Sequence, residues 1–245
     1  MEYFKSFNNV LYKFGNETST VAVQDLSSYV DLIDQIKDDI SVYQKDYIHD
    51  GLRPDQLSFK LYGTTIYHWT FYLLNDNLRL QGWPLTGSEL DETVKHTFDH
   101  TVLTTREYLH GQFKEGQDVE GSVSGATGSI EHRDLNLGQL VLENVTGTFK
   151  AGEAVTSTPP AIGSAIESIV IVSAEEEYNA AHHYVSNSTD RIVDIDPTLG
   201  PGQLVTEVTN YEWYRDENNK LRDIKVIRPN IIENLVASYK QAIAT

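Results

Sequence analysis

The sequence predicts a fold of the α+β class, in which helices and a small all-β region occupy different stretches of the chain. Apolar residues recur at helical spacing over residues 54–61 and 231–239, next to Pro54 and Asn230, which are typical of helix starts. Between residues 110 and 172 the chain is instead rich in Gly, Ser, Thr and Val, with little helical periodicity. We therefore expect a small β domain inserted into a larger domain that contains the helices.

The composition argues against several classes of partner. The chain has 245 residues, of which 40% are apolar, and it is long enough to bury a core. A formal net charge of −17, from 36 acidic and 19 basic side chains, argues against binding to nucleic acid or to an anionic membrane. The absence of cysteine removes disulfides and thiolate chemistry and is typical of folding in a reducing cytosol. The sequence shows no recognisable signal peptide or membrane-spanning apolar run, so we expect neither export nor membrane insertion.

Residues 1–41 are expected to form an N-terminal arm followed by a helix. Residues 1–14 alternate loosely between apolar and polar side chains and predict an extended arm or edge strand that ends at Gly15. Within residues 21–40, apolar side chains recur at steps of three and four and predict an amphipathic helix. The apolar residues of this predicted helix are Leu26, Val30, Ile33 and Ile36.

Residues 42–109 are expected to contain a strand, two short helices and a returning strand. The first strand is predicted over residues 42–48 and closes on Asp50 and Gly51 as a turn. The returning strand is expected around residues 81–90, where a proline restricts it to a sheet edge or to the start of the strand.

Two helices are predicted between these strands. Pro54 suits the first turn of the first helix because its missing N–H would have no partner there, and Gly63 supplies a left-handed end. The second helix is predicted from Thr64 to Leu74, with Trp69 on its apolar face. The two helices would then pack against the preceding strand.

An internal repeat marks the β region. The sequence FKEGQDV at residues 113–119 returns 36 residues later as FKAGEAV at residues 149–155. Ile130 and Ile166 stand at the same offset in the two tails. Each copy predicts a strand, a tight turn at the glycine and a second strand. We expect the two copies to bury each other's apolar faces as an inserted domain over residues 110–172.

The last part of the chain, residues 173–245, is expected to be a loop followed by a hairpin and a helix. Residues 174–210 are polar and contain prolines and glycines, so they are predicted to be mostly loop. A hairpin is predicted over residues 211–227, with its turn at residues 217–219. Asn230 then caps an amphipathic helix.

Histidines are the first candidates for catalysis or metal binding. His96 and His100, with Asp99, would form an i, i+4 ligand pair on a helix, but the surrounding Thr and Val residues favour a strand. On a strand the two histidines would stand about 13 Å apart, too far for one metal ion. His182 and His183 are adjacent and are expected on opposite sides of their element, at the surface. Since no catalytic or nucleotide-binding motif is present either, we expect no catalytic residue, metal or cofactor.

The stretch from residue 42 to residue 77 resembles the LysM fold, a βααβ unit best known for binding polymers of N-acetylglucosamine. The resemblance is carried by Asp50-Gly51 after the strand, Tyr62-Gly63 between the helices, Trp69 in the second helix and Asn75-Asp76-Asn77 after it. It implies a binding groove between the loops at residues 50–54 and 75–78. The candidate residues for a groove or a protein interface are Asp50, Gly51, Arg53, Pro54, Tyr62, Gly63, Tyr67, Trp69, Phe71, Asn75, Asp76 and Asn77.

A second resemblance includes the C-terminal part of the chain. Motifs at residues 48–76 and 217–227 are similar to those of the LysM-like wedge subunit in the baseplate of contractile-tailed bacteriophages, and the resemblance covers about residues 1–95 and 208–245. Residues 217–227 of this chain resemble the closing strand of that family, which is followed there by the final helix. The resemblance implies a structural component of the virion, assembled in the host cytoplasm, that joins other wedge proteins or its own copies around the hub without catalysis.

Two other functions stay open from the sequence. The same βααβ pattern is compatible with a glycan-binding LysM module of a phage or cell-wall protein. A peptidoglycan-cleaving enzyme is the third hypothesis, and it would need a catalytic carboxylate among the many acidic residues.

Overall fold

A computed structural model describes residues 9–15, 19–24, 39–157 and 165–243. Within those ranges the chain forms six helices and thirteen strands, which confirms the α+β class. The predicted helix around Leu26 and Ile36 and the first eight residues of the predicted arm lie outside the described residues.

The helices and strands have the following bounds. The helices are α1 Pro54–Tyr62, α2 Thr70–Leu74, α3 Asp76–Gln81, α4 Gly87–Thr97, α5 Asn210–Lys220 and α6 Ile232–Ile243. The first seven strands are β1 Asn9–Tyr12, β2 Val21–Gln24, β3 Tyr43–Tyr47, β4 Thr101–Thr105, β5 Asp118–Gly121, β6 Thr127–Asp134 and β7 Gln139–Thr146. The remaining six are β8 Ala154–Ser157, β9 Glu167–Glu176, β10 Ala181–Ser186, β11 Ile192–Val193, β12 Val205–Thr209 and β13 Asp223–Ile227.

The chain divides into two compact units. The first unit comprises residues 1–87 and 217–245, and the second comprises residues 88–216. The β-repeat segment expected at residues 110–172 lies inside the second unit, where β structure begins at β4 and continues beyond β9.

An antiparallel hairpin of β1 and β2 forms the first described part of the chain. Gly15, in the connection, has a φ of 56°, which suits glycine. Residues 21–24 were expected to belong to a helix, and this is wrong, because they pair with the preceding strand. The sequence VAVQ combines valines with alternation, and this pattern favours a strand.

The core of the first unit is built around the antiparallel pair of β3 and β13. The predicted first strand, the first helix and the final helix are therefore confirmed as β3, α1 and α6. Gly63 ends α1 with a φ of 71°, as predicted. The side chains buried at the centre are Ile48, Leu57, Phe71, Leu78, Leu221, Ile224 and Val226.

Two predictions between β3 and α4 are wrong. The second helix begins at Thr70 and not at Thr64. The Ser58 hydroxyl donates to the Thr64 carbonyl at 2.7 Å, and the Thr70 hydroxyl donates to the Tyr67 carbonyl at 2.8 Å, so local side-chain bonds support turns in place of a helix. The returning strand expected at residues 81–90 is absent, because α3 and α4 occupy the two ends of this segment, residues 82–86 between them belong to no strand, and β13 pairs with β3 instead.

The expected C-terminal hairpin is wrong in its first half. Residues 210–220 form the helix α5, while the second predicted strand is present as β13. A capping box explains the helix: the Glu212 amide donates to the Thr209 hydroxyl at 3.2 Å, and the Thr209 amide donates to the Glu212 carboxylate at 3.1 Å. This Thr-x-x-Glu signal is present in the sequence and outweighs the aromatic residues that suggested a strand.

Six strands of the second unit form a closed antiparallel barrel in the order β4-β7-β6-β5-β8-β9. β9 pairs with β4 and closes the barrel, so no strand edge is left open. The interior is filled by apolar side chains from all six strands and the connecting loops, among them Leu103, Phe113, Leu140, Phe149 and Ile171.

The predicted repeat is present and gives the barrel an internal twofold relation. Exchanging β4 with β7, β5 with β8 and β6 with β9 reproduces the same set of strand pairs. The Gly116 amide donates to the Ile130 carbonyl at 2.7 Å, and the Gly152 amide donates to the Ile171 carbonyl at 2.8 Å. The expected equivalence of Ile130 with Ile166 is therefore wrong, because the second copy has a longer connection between its strands. Ile166 is 68% exposed, whereas Ile171 is buried.

A buried carboxylate joins the two repeats. Glu153, 3% exposed, accepts hydrogen bonds from the amides of Lys150, Val123 and Ser124 and from the Ser124 hydroxyl, over 2.6–2.9 Å. Burial by itself would raise the pKa of Glu153, but these four bonds outweigh it and lower that pKa to about 2. Gln117 takes the equivalent place in the first repeat, where its side-chain carbonyl accepts from the Lys114 amide.

Residues 174–210 were expected to be mostly loop, and this is wrong. They contain the end of β9 and a three-stranded antiparallel sheet in the order β11-β10-β12. The prolines at positions 197 and 201 lie between β11 and β12, outside the paired strands, so they do not interrupt the sheet.

The lowered pKa of Glu153 predicts that acid destabilises the second unit. The folded-state pKa of Glu153 lies below the ordinary value of 4.5. The contribution of the Glu153 carboxylate to the free energy of unfolding is therefore complete above about pH 4.5 and is lost as the pH falls towards about 2. The Glu153→Gln variant should lower the free energy of unfolding at neutral pH by roughly 1–3 kcal/mol, because a neutral amide cannot accept all four bonds. The variant should also flatten the loss of stability at acid pH.

Urea unfolding followed by circular dichroism, from about pH 7 to about pH 2.5, measures both effects. Glu115→Gln removes an exposed carboxylate from the neighbouring turn and serves as the matched control, which should keep the wild-type acid branch. An unchanged acid branch in Glu153→Gln would contradict the assignment.

Candidate functional site

The twelve candidate residues of the first unit differ widely in exposure. Phe71 and Asn75 are buried. The half-buried residues are Pro54, Tyr62, Tyr67, Trp69 and Asn77. The exposed residues are Asp50, Gly51, Arg53, Gly63 and Asp76. Only the exposed and half-buried side chains are able to contact a partner directly.

Asn75 holds the outer edge of β13. Its side-chain amide donates to the Phe71 and Lys225 carbonyls, both at 2.8 Å, and its side-chain carbonyl accepts from the Lys225 amide at 2.8 Å. The side chain therefore pairs with one residue of β13 as a neighbouring strand would, and it satisfies two backbone groups in the core. This asparagine supports the fold and offers no free group to a ligand.

Arg222 fixes the loop after β3. Its guanidinium, only 9% exposed, donates to the Asp50 carboxylate at 2.8 Å, the Leu85 carbonyl at 2.9 Å and the Ile48 carbonyl at 3.3 Å. Asp50 itself remains 64% exposed at the side chain. The loop that begins with Asp50 is therefore positioned from within by a residue next to β13.

Aromatic side chains connect the helices to β13. The Tyr62 hydroxyl donates to the Ile227 carbonyl at 2.9 Å, and burial raises the pKa of Tyr62 well above its ordinary value. The Tyr62 ring stacks on Phe71 at 6.2 Å between centroids and meets Tyr67 edge to face at 5.8 Å. These contacts make Tyr62 and Phe71 parts of the core.

Trp69 packs against the final helix. Its ring centroid lies 5.7 Å from that of Tyr239, which is buried on α6. The cavity between them measures only about 10 Å³ and is lined by Trp69, Thr70, Leu73, Leu74, Ile227, Leu235, Val236 and Tyr239. This space accepts at most one water molecule. The helix α6 therefore packs against the Trp69 ring and leaves no room for a ligand between them.

Among the large apolar side chains exposed on the first unit, three lie in the helical segment from α1 to α3, and the sequence did not single them out as site residues. Phe59 is 62% exposed on α1, Ile66 is 50% exposed in the following turns, and Leu80 is 80% exposed on α3. Phe59 lies two residues after the buried Leu57, and this spacing places it on the opposite side of α1. The helical periodicity therefore contained a signal for it.

His100 lies among carboxylates and not beside a second histidine. Its ring nitrogens are each 3.0 Å from a carboxylate oxygen, one of Glu131 and one of Glu177. The strand expected around His96 is wrong, because residues 87–97 form α4, while β4 begins only at Thr101. No group of three or more side chains able to hold a metal ion occurs in the described ranges.

His182 and His183 are half-buried and adjoin each other, so the expectation of opposite sides is wrong. Their Nδ1 atoms are 2.8 Å apart, and the His182 ring stacks on Trp213 at 4.4 Å. A bulge between Ala181 and His183 shifts the register of β10 and breaks the alternation of side chains. Burial lowers the pKa of both histidines.

No protein-family model matches the chain, and no curated protein matches it. Among the described residues, every helix is too short or too polar to cross a membrane.

We predict that removal of the Asn75 side chain destabilises the first unit at β13. Asn75→Ala leaves the Lys225 amide and carbonyl without their side-chain partners, and it should lower the free energy of unfolding by about 1–3 kcal/mol. Hydrogen exchange at the Lys225 amide should accelerate, because the outer edge of β13 opens.

Asn77→Ala is the matched control, since Asn77 is half-buried in the first turn of α3. Its change should stay within about 0.5 kcal/mol in the same urea titration. Equal stability of the two variants would show that the bonds of Asn75 do not hold β13.

Proposed function

We propose that the protein is a structural component of a phage tail baseplate wedge, with a LysM-like βααβ core, and that it joins wedge proteins or adjacent wedges by protein–protein contacts. The proposal rests on the resemblance of residues 48–76 and 217–227 to the LysM-like wedge subunit of contractile-tailed phages. The observation that carries it furthest is the pairing of β3 with β13, since the C-terminal segment supplies the strand that the resemblance assigns to it.

Internal use of the LysM-type residues supports a structural role over sugar binding. Asn75 bonds to β13, Tyr62 bonds to the Ile227 carbonyl, and α6 covers Trp69. A sugar site in this groove would need polar groups with free hydrogen-bonding capacity. These side chains stabilise the fold instead, so partner binding is assigned to the exposed surface.

Phe59, Ile66 and Leu80 are the proposed contact residues of the first unit. Each is at least half exposed, and large apolar side chains gain most when a partner removes them from water. The net charge of −17 favours partner surfaces that carry complementary positive charge over association of identical acidic surfaces.

Glycan binding by the loops at residues 50–54 and 75–78 is the second candidate. It is favoured by the exposure of Asp50, Arg53 and Asp76, which belong to those loops. Pull-down on insoluble peptidoglycan and chitin separates the two functions, since retention of the wild-type chain would support the sugar candidate.

The assembly function is tested by mixing the purified chain with neighbouring wedge subunits and following complex formation by gel filtration. A larger complex of defined stoichiometry is expected. A chain that stays monomeric with every wedge subunit would overturn the proposal.

Replacement of the exposed apolar residues should separate binding from folding. The double variant Phe59→Ser/Leu80→Ser should lose at least about tenfold in affinity for its wedge partner, because two anchors are removed. Its urea midpoint should stay close to that of the wild type, since surface substitutions usually change stability by less than about 0.5 kcal/mol. Glu233→Gln, an exposed change on α6, is the control and should bind as the wild type does.

A further inference from the structure

The outer surface of the barrel carries a polar cleft. Its volume is about 540 Å³, within the range of about 300–1,000 Å³ that is typical of ligand sites. Side chains from four neighbouring strands line it: Asp118, Glu120, Thr127, Ser129, Asn144 and Thr156. The ligand-accessible groups of the cleft are carboxylates, hydroxyls and one amide.

Comparison of the two repeats shows that the barrel does not require polar side chains at two positions of this surface. The pairs Asp118–Ser129 and Ala154–Val170 occupy equivalent places in the two copies, since each joins the same positions of its hairpin. The first of these pairs is polar and the second is apolar, whereas the next pair, Glu120–Thr127, corresponds to Thr156–Ser168 and is polar in both copies. Asp118 and Ser129 are therefore the two lining residues that the shared barrel framework does not require to be polar.

A bulge in β7 presents Asn144 at the cleft. Thr127 pairs with Thr146 and Ser129 pairs with Glu143, so one residue of β6 faces two of β7. Asn144 adopts a left-handed φ of 53°, a conformation that glycine occupies without strain. The chain places an amide side chain in the cleft at a position where glycine would be less strained.

The chemistry of the lining selects the ligand. The lining contains two carboxylates and no basic side chain, so it disfavours an anion such as phosphate. It also disfavours an apolar ligand, because no exposed aromatic or large aliphatic group is among these lining residues. The Asp118 carboxylate accepts a hydrogen bond from the Ser129 hydroxyl at 2.7 Å. This bond fixes the orientation of the carboxylate, whose other lone pairs can accept from a ligand. Carboxylates, hydroxyls and an amide together match a ligand with many hydroxyl groups.

We propose that this cleft binds a neutral saccharide chain, with Asn144, Asp118 and Glu120 as hydrogen-bonding residues. The site is separate from the loops of the first unit that the LysM resemblance suggests, and it does not depend on the assembly function. A baseplate component with such a cleft would contact glycan through its inserted barrel.

The test uses the full chain against an array of soluble bacterial surface glycans, followed by titration of each retained glycan with NMR detection. We expect at least one glycan to bind and to shift the side-chain amide signals of Asn144. The variant Asn144→Gly should fold, since glycine accepts the left-handed conformation, and it should bind roughly tenfold more weakly after losing one or two hydrogen bonds.

Asp190→Gly is the matched control. Asp190 also has a left-handed φ, of 51°, but it follows β10 and is not among the residues that line the cleft. It should therefore bind as the wild type does, which separates relief of backbone strain from loss of the amide.

Three results would overturn the proposal. The first is that no glycan on the array binds. The second is that Asn144→Gly binds with wild-type affinity, which would move the glycan to the loops of the first unit. The third is that a lysine-rich peptide displaces the glycan at equal concentration, which would make the cleft a site for basic protein segments. None of these results bears on gel filtration with wedge subunits, so the assembly function is judged separately.

Discussion

The antiparallel pairing of β3 with β13 is the interaction on which the first unit depends. The two strands are separated in sequence by the whole second unit, so their pairing closes a very long loop, and the entropic cost of closure must be offset by what gathers around β13. Asn75 bonds to its edge, Tyr62 bonds to its last residue, and Arg222 fixes the loop beside its first residue. Without β13, Asn75 and Tyr62 would lose these partners together.

A buried carboxylate has a comparable place in the barrel. Glu153 stands on the turn of the second repeat, while three of its four donors belong to the loop of the first repeat. Gln117, at the equivalent position, accepts within its own turn and contacts the Glu167 carboxylate at 3.4 Å. The two repeats thus share a framework but differ in charge at the position that joins them.

Local signals account for what the sequence predicted well. Pro54 and Gly63 delimit α1 because each acts within a few residues, and the repeat predicted the barrel's paired turns. Non-local or competing effects account for the errors. Thr93 and Thr97 lie in α4, where their hydroxyls each donate at 2.7 Å to a carbonyl four residues earlier, so their preference for strands is overridden by the helix. The bulge in β10, which brings the two adjacent histidines together, has no recognisable signature in the sequence.

The candidate site was predictable in its residues but not in their roles. The residues that resemble a sugar-binding module appear in the expected order, yet whether each faces solvent depends on β13 and α6, which lie far along the chain. A carboxylate or amide that is fully bonded within the protein has little left to offer a ligand, whereas one held at a surface cleft with unused acceptors does. By this criterion the first unit uses the residues that resemble a LysM module to hold itself together, and its exposed apolar side chains are the contacts that we propose for partners. The polar groups available for a soluble ligand lie instead on the barrel, around Asn144.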